Sequence, residues 1–149
     1  MSTLLDITAL TRRYHARLRE LLGQVPAEEL GLRVGGAGLT VAETAWHVCE
    51  AERWYMDLID GGSRTGGEPA KGRDGLLAAL TETEAEMLVF LESMDEAALE
   101  RTLGVPAWWG EGEPQTVRLV LMHSLAHKYY HCGQLQAILH ALADESAST

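Results

Sequence analysis

At 149 residues the chain is long enough to bury one hydrophobic core without disulfides as staples. Twelve basic against 22 acidic residues give a net charge of −10 and a pI near 5.0, which repels phosphate backbones and anionic lipid surfaces and so disfavours nucleic-acid and membrane partners. No apolar stretch approaches the ~18 residues of a membrane span and no signal-peptide pattern opens the chain, so one cytoplasmic domain over residues 1–149 is the expectation.

Four helices are predicted, and no strand alternates convincingly. The first runs from about Asp6 to Leu22, with Leu10, Tyr14, Leu18, Leu21 and Leu22 on its buried side and Arg12, Arg13, Arg17 and Arg19 solvated; His15 is read as a surface residue. A glycine-rich loop, 31–38, leads to a second helix over about 40–60. Its start carries a capping box, Thr40 with Glu43, and Gly61 marks its end. The stretch 61–73 then reads as a flexible linker. A third helix spans about Asp74 to Ser93, and a short turn is expected near 95–100. The segment LGVPAWWGEGEPQ cannot be regular helix, and its Trp108 and Trp109 are expected to cover a core edge or to line a pocket mouth. The last helix covers about 116–143. The sum is an all-α four-helix bundle with long connections.

The last helix carries the chemistry. His123, His127 and His131 recur every four residues, so neighbours in the series share a face. Nitrogen–metal bonds of about 2.0–2.1 Å require two ligands of one ion to lie within about 4 Å of each other. Eight residues of helix separate His123 from His131 by roughly 12 Å, so only His123/His127 or His127/His131 can chelate. A third ligand is found in His47, on the second helix, whose face also carries Glu43, Glu50, Ala51, Trp54 and Leu58. On the last helix the histidine face includes Val120, Ser124, Tyr130, Gln134 and Ile138. Leu121, Leu125, Leu135 and Leu139 form a second stripe, and Met122, Ala126, Gly133 and Ala137 a third. That leaves only Arg118, Tyr129, Gln136 and His140 for solvent, the pattern of a buried helix. Close helix packing is the natural reason for Gly133. Cys49 and Cys132, the only cysteines, point about 200° and 140° away from the proposed ion and read as small core residues.

Three neutral imidazoles leave a coordination position open, the mark of a catalytic metal site, where a water with its pKa lowered to about 7 or a thiolate would serve as nucleophile. Gln134 is placed to hydrogen-bond a ligand imidazole. Glu50 is the candidate catalytic base, Glu43 being shared with the capping box, and Tyr130, Trp54 and His123 are candidates for the pocket. A di-iron carboxylate site needs Glu-x-x-His pairs, and the chain contains none. Phosphate-binding loops and nucleophile elbows are also missing.

The stretch from Thr40 to His47, with His127-x-x-x-His131-x-Gly133-Gln134 on the last helix, resembles the DinB/YfiT-like superfamily over nearly the whole chain. The resemblance implies that His47, His127 and His131 are the metal triad, with His123 outside it. It also implies zinc or nickel as the ion, an up-down-down-up helix path and a homodimer. Members include bacillithiol- and mycothiol-dependent transferases and isomerases, so a low-molecular-weight thiol is an expected cofactor and a small molecule the expected substrate. The competing expectation is a metal- or ligand-binding bundle without turnover.

Overall fold

The computed structural model describes residues 2–33, 38–104, 106, 109 and 114–148. Ser2 accepts the Leu5 amide through its side chain and opens α1 (Thr3–Gln24). Thr40 opens α2 (Val41–Asp60) with the capping box: its hydroxyl accepts from the Glu43 amide and Glu43 Oε2 accepts from the Thr40 amide. Gly61, at φ 73°, ends α2 in the left-handed conformation that only glycine adopts without penalty. Then follow α3 (Gly72–Glu92), a 3₁₀ turn (Glu96–Glu100) and α4 (Val117–Ala147). Two strands of two residues each, β1 (Thr102–Leu103) and β2 (Gln115–Thr116), pair antiparallel before α4. Trp108 and the loop centre 34–37 lie outside the described residues.

Side-chain contacts fix the helix directions. Arg118 reaches Thr3 and Arg17 reaches Gln136, so α1 and α4 run parallel. Arg19 with Glu84, and Arg73 with the Val25 carbonyl, make α1 and α3 antiparallel. Cys49 beside Thr83 and Arg53 beside Glu86 set α2 and α3 parallel, while His47 against His131 and Tyr55 against His123 set α2 and α4 antiparallel. The path is up-down-down-up, as the resemblance implies. Two apolar clusters fill the interior, one around Leu18, Leu22, Val48, Leu80 and Leu135, the other around Ile7, Met56, Met87, Leu99 and Leu121.

Three expectations are corrected. The linker after Gly61 has no regular structure but is tied down: Asp57 accepts from the Arg64 and Thr65 amides, Arg64 pairs with Asp57 and Asp60, and Glu50 Oε2 accepts from Gly66 N. Apart from the Arg64–Asp60 pair, these contacts join residues seven to sixteen apart, beyond the reach of turn-residue rules. On α1 the buried face is Ile7, Thr11, His15, Leu18, Leu21 and Leu22. It turns His15 fully inward and leaves Leu10 and Tyr14 half-buried. Finally, α4 is not buried on most sides. It packs on α1 and α2, and its third stripe faces outward, with Met122 49% exposed and Ala126, Gly133 and Ala137 open; Tyr130, read on the histidine face, is 61% exposed. Among the described residues, no atom beyond the adjacent residues and the helix's own backbone lies within 4 Å of a Cβ built on Gly133, so none of them requires a glycine there.

Candidate metal centre

His127 and His131 are one helical turn apart on α4, and α2 crosses them antiparallel, so His47 is carried to the same point from the facing helix. The Nε2 atom of His127 lies 2.9 Å from Nε2 of His47 and 3.0 Å from Nε2 of His131. One ligand atom from each of the three lies within 4.8 Å of the others. His131 is buried, His127 half-buried and His47 the most open, so the cluster sits at the edge of the bundle rather than in its core.

His131 Nδ1–H donates to Gln134 Oε1 at 2.7 Å, and Gln134 Nε2 in turn donates to the Tyr130 hydroxyl at 3.0 Å. With its proton held on Nδ1, a neutral His131 presents a bare Nε2 to its neighbours. A single proton on His127 Nε2 cannot point at both flanking nitrogens, whereas one cation accepts all three lone pairs. Burial, followed by the neighbouring His131, His47, His123 and Lys128, pushes His127 down to about 3. Burial also lowers His47 and His131. The three rings are therefore neutral and able to ligate at neutral pH, and the donor set fits a divalent ion. Burial pushes both Cys49 and Cys132 up to about 11, so neither offers a thiolate.

His47 and His127 form part of the wall of a cavity of about 540 Å³, lined also by Glu50, Trp54, Tyr55, Trp109 and His123. Trp109 stacks on Trp54 with centroids 5.6 Å apart and approaches His123 at 4.3 Å. Burial pushes the Tyr55 phenol up to about 12, so it stays protonated. Glu50 Oε2 is engaged by Gly66 N, while Oε1 is buried without a hydrogen bond, 3.7 Å from an Arg53 nitrogen.

The expected residues thus divide. His47, His127 and His131 converge, Gln134 holds a ring of the cluster, and Glu50, Trp54 and His123 line the adjoining cavity. Tyr130 is exposed and touches the cluster through Gln134 and its ring contact with His131. Glu43 spends its carboxylate on the helix cap. Sequence reasoning missed His15, Glu52 and Lys128, which meet beneath the site: Lys128 Nζ donates to Glu52 Oε1, and His15 Nε2–H to Glu52 Oε2 at 2.5 Å. The available signal was one titratable residue inside each of three mainly apolar stripes: Ile7-His15-Leu18, Val48-Glu52-Met56 and Leu121-Lys128-Leu135.

If Gln134 fixes the His131 ring, Gln134→Ala will weaken binding of zinc or nickel by about 10–100-fold, the usual cost of losing a group that orients a ligand. Competitive titration with a chromophoric chelator measures this. An unchanged affinity would leave Gln134 an ordinary surface amide.

No curated protein matches this chain in sequence. Among solved structures, a DinB-like protein of Bacillus subtilis superposes with a TM-score of 0.73 at 15% identity, covering 93% of this chain and 92% of that one. A DinB-like protein of Bacillus cereus does so at 0.70 and 16%, covering 88% and 86%, and a conserved protein of Enterococcus faecalis at 0.72 and 15%, covering 93% and 96%. At such identities the structures establish the fold alone. The sequence model of the DinB superfamily matches residues 10–135, which takes in the three converging histidines and Gln134, and the chain belongs to that superfamily.

Proposed function

We propose that this protein is a divalent-metal-dependent enzyme, a thiol transferase or hydrolase, that activates a thiol or water to attack a small substrate. The observation that carries this reading is a cluster of three neutral imidazoles, two of which, His47 and His127, line an open, aromatic-walled cavity of about 540 Å³, room enough for a small molecule. His47, His127 and His131 would hold zinc or nickel, both of which suit imidazole donors. Bound there, the ion supplies Lewis acidity and lowers the pKa of a water or thiol.

The surrounding side chains have separate tasks. Gln134 keeps the His131 ring turned to the cluster. Glu50, fixed by Gly66 N and lining the same cavity, takes the proton from the nucleophile. Trp54, Tyr55 and Trp109 exclude water and select a small, largely apolar electrophile. A low-molecular-weight thiol is the proposed co-substrate.

The test compares metal-loaded and chelated protein on chlorodinitrobenzene with low-molecular-weight thiols, and on nitrophenyl acetate in water. Turnover that disappears on chelation and returns with the ion supports the reading, and turnover indifferent to chelation removes it. Glu50→Gln is expected to lower kcat by about 10²-fold or more with metal content unchanged, the lower end of what a positioned base contributes.

A homodimer is proposed through the outward stripe of α4. Leu119 is 48% exposed, Met122 49%, Tyr129 65% and Tyr130 61%, an apolar band that the chain leaves uncovered. The double variant Met122→Glu with Tyr129→Glu is expected to run as a monomer in light scattering where the native chain runs as a dimer. A native monomer at micromolar concentration would dispose of the proposal.

A further inference from the structure

Three of the helices carry one polar residue each at the same height in the bundle. His15 on α1, Glu52 on α2 and Lys128 on α4 are 0%, 1% and 1% exposed. They stand between the two apolar clusters: Leu18, Cys49 and Cys132 belong to one side, Ile7, Met56 and Leu125 to the other. Both Glu52 oxygens are used, and by different helices, Oε1 by Lys128 Nζ and Oε2 by His15 Nε2–H. Lys128 is further held by Ser124 Oγ at 3.0 Å, one turn back on its own helix.

Apolar packing is non-directional, so two clusters of Leu, Ile, Val and Met by themselves leave the axial position of a helix loosely defined. Glu52 meets Lys128 in one position only, while His15 Nδ1 has no hydrogen-bond partner among the described residues. Sliding α4 by one residue moves it about 1.5 Å and turns it about 100°. That would part Lys128 from Glu52 and leave each charge buried without the opposite one, with only Ser124 beside Lys128 and His15 beside Glu52. The same slide would undo the histidine cluster, because Lys128 directly follows His127 and Glu52 lies five residues beyond His47. Neither Glu52 nor Lys128 lines the cavity, so neither can touch a substrate there.

We propose that Glu52 and Lys128 are positioning residues for the metal centre: with His15 they set the register of α2 against α4 and so bring His47 onto His127 and His131. The metal part of this inference rests on the proposed function. A buried polar residue that specifies helix register is the best-attested use of such groups.

The decisive variant is the triple substitution H15L/E52L/K128M. Replacing a whole buried ionic network by apolar residues is often neutral or stabilising, so folding and register become separable. The variant is expected to keep its helical circular dichroism and to melt no lower than the native chain. It should nevertheless bind zinc and nickel at least about tenfold more weakly, the scale set by losing groups that orient ligands. In the metal-free protein it should also lose the nuclear Overhauser contacts between the His47 and His127 rings, whose centroids lie 4.9 Å apart. In a folded variant, either a native affinity or an unchanged His47–His127 contact overturns the proposal. If the native chain binds neither metal, the metalloenzyme reading fails by itself and the ring contact alone decides the register claim. Should the triple variant not fold, Glu52→Gln is read in the same two ways and against the same outcomes.

Discussion

Replacing His127 with alanine is expected to take the protein from about one equivalent of bound metal to none, with its helical content intact. His127 is the middle member of the cluster, the residue whose Nε2 stands within 3.0 Å of both others. Its loss leaves one ligand on α2 and one on α4 with nothing between them, which should cost more than the about 10–100-fold of an orienting partner. His47→Ala should behave in the same way. His123→Ala should not: that ring packs against Trp109 and Tyr55, and helix geometry keeps it roughly 12 Å along the axis from His131. Plasma mass spectrometry on chelator-free protein, beside a zinc titration, reads all three. Metal retained in His127→Ala, or lost in His123→Ala, would show that the triad is misassigned.

The same crowding makes a pH prediction for the metal-free chain. Burial, and after it repulsion of an added charge by His131, His47, His123 and Lys128, holds His127 at about 3, against an ordinary 6.5. The unfolded chain therefore takes up this proton as pH falls below 6.5 while the folded chain refuses it until about 3. This residue's contribution to stability is complete above pH 6.5 and is lost progressively between there and about 3. His47 and His131, lowered in the same direction, add to the slope.

The second large effect is on stability. Lys128→Met is expected to cost about 3–5 kcal/mol at neutral pH, because it strands the Glu52 carboxylate in the core. Burial alone would raise Glu52, but the Lys128 ammonium and the His15 contact outweigh it and hold the carboxyl at about 2. In the native chain that contribution is present above the ordinary 4.5 and is lost as pH falls from there to about 2. In Lys128→Met burial dominates and the carboxyl keeps its proton more readily, so the gap between variant and native protein should narrow on acidification. Urea denaturation at a series of pH values measures both the size and the trend. A loss under about 1 kcal/mol at pH 7, the worth of an exposed pair, would contradict the buried placement of these charges.

Much of this molecule is written in short-range pattern. The Thr40–Glu43 capping box and the Gly61 stop bound α2 within a residue of where the sequence puts them, since each depends only on backbone groups three or four positions away. The separation of His127 from His131 is likewise a property of one helix, and so is the reach of Gln134 back to His131. The choice of His131 over His123 as the partner of His127 came from the resemblance, because helix geometry admits both pairs. Inward and outward were another matter. His15 reads as a surface residue and is fully buried, while Met122 reads as part of a buried stripe and is half exposed.

By itself, then, the sequence determined which residues share a helix, where the helices begin and stop to within about four residues, and which side chains lie one turn apart, because rise and rotation per residue are constants of the backbone. Only the tertiary structure decided which side of each helix meets a neighbour. It brought Glu52 to Lys128 across 76 residues and pinned the Gly61 linker on Asp57 and Glu50. It also left one stripe of α4 without a partner. Burial depends on what the rest of the chain places opposite, and no local spacing carries that information.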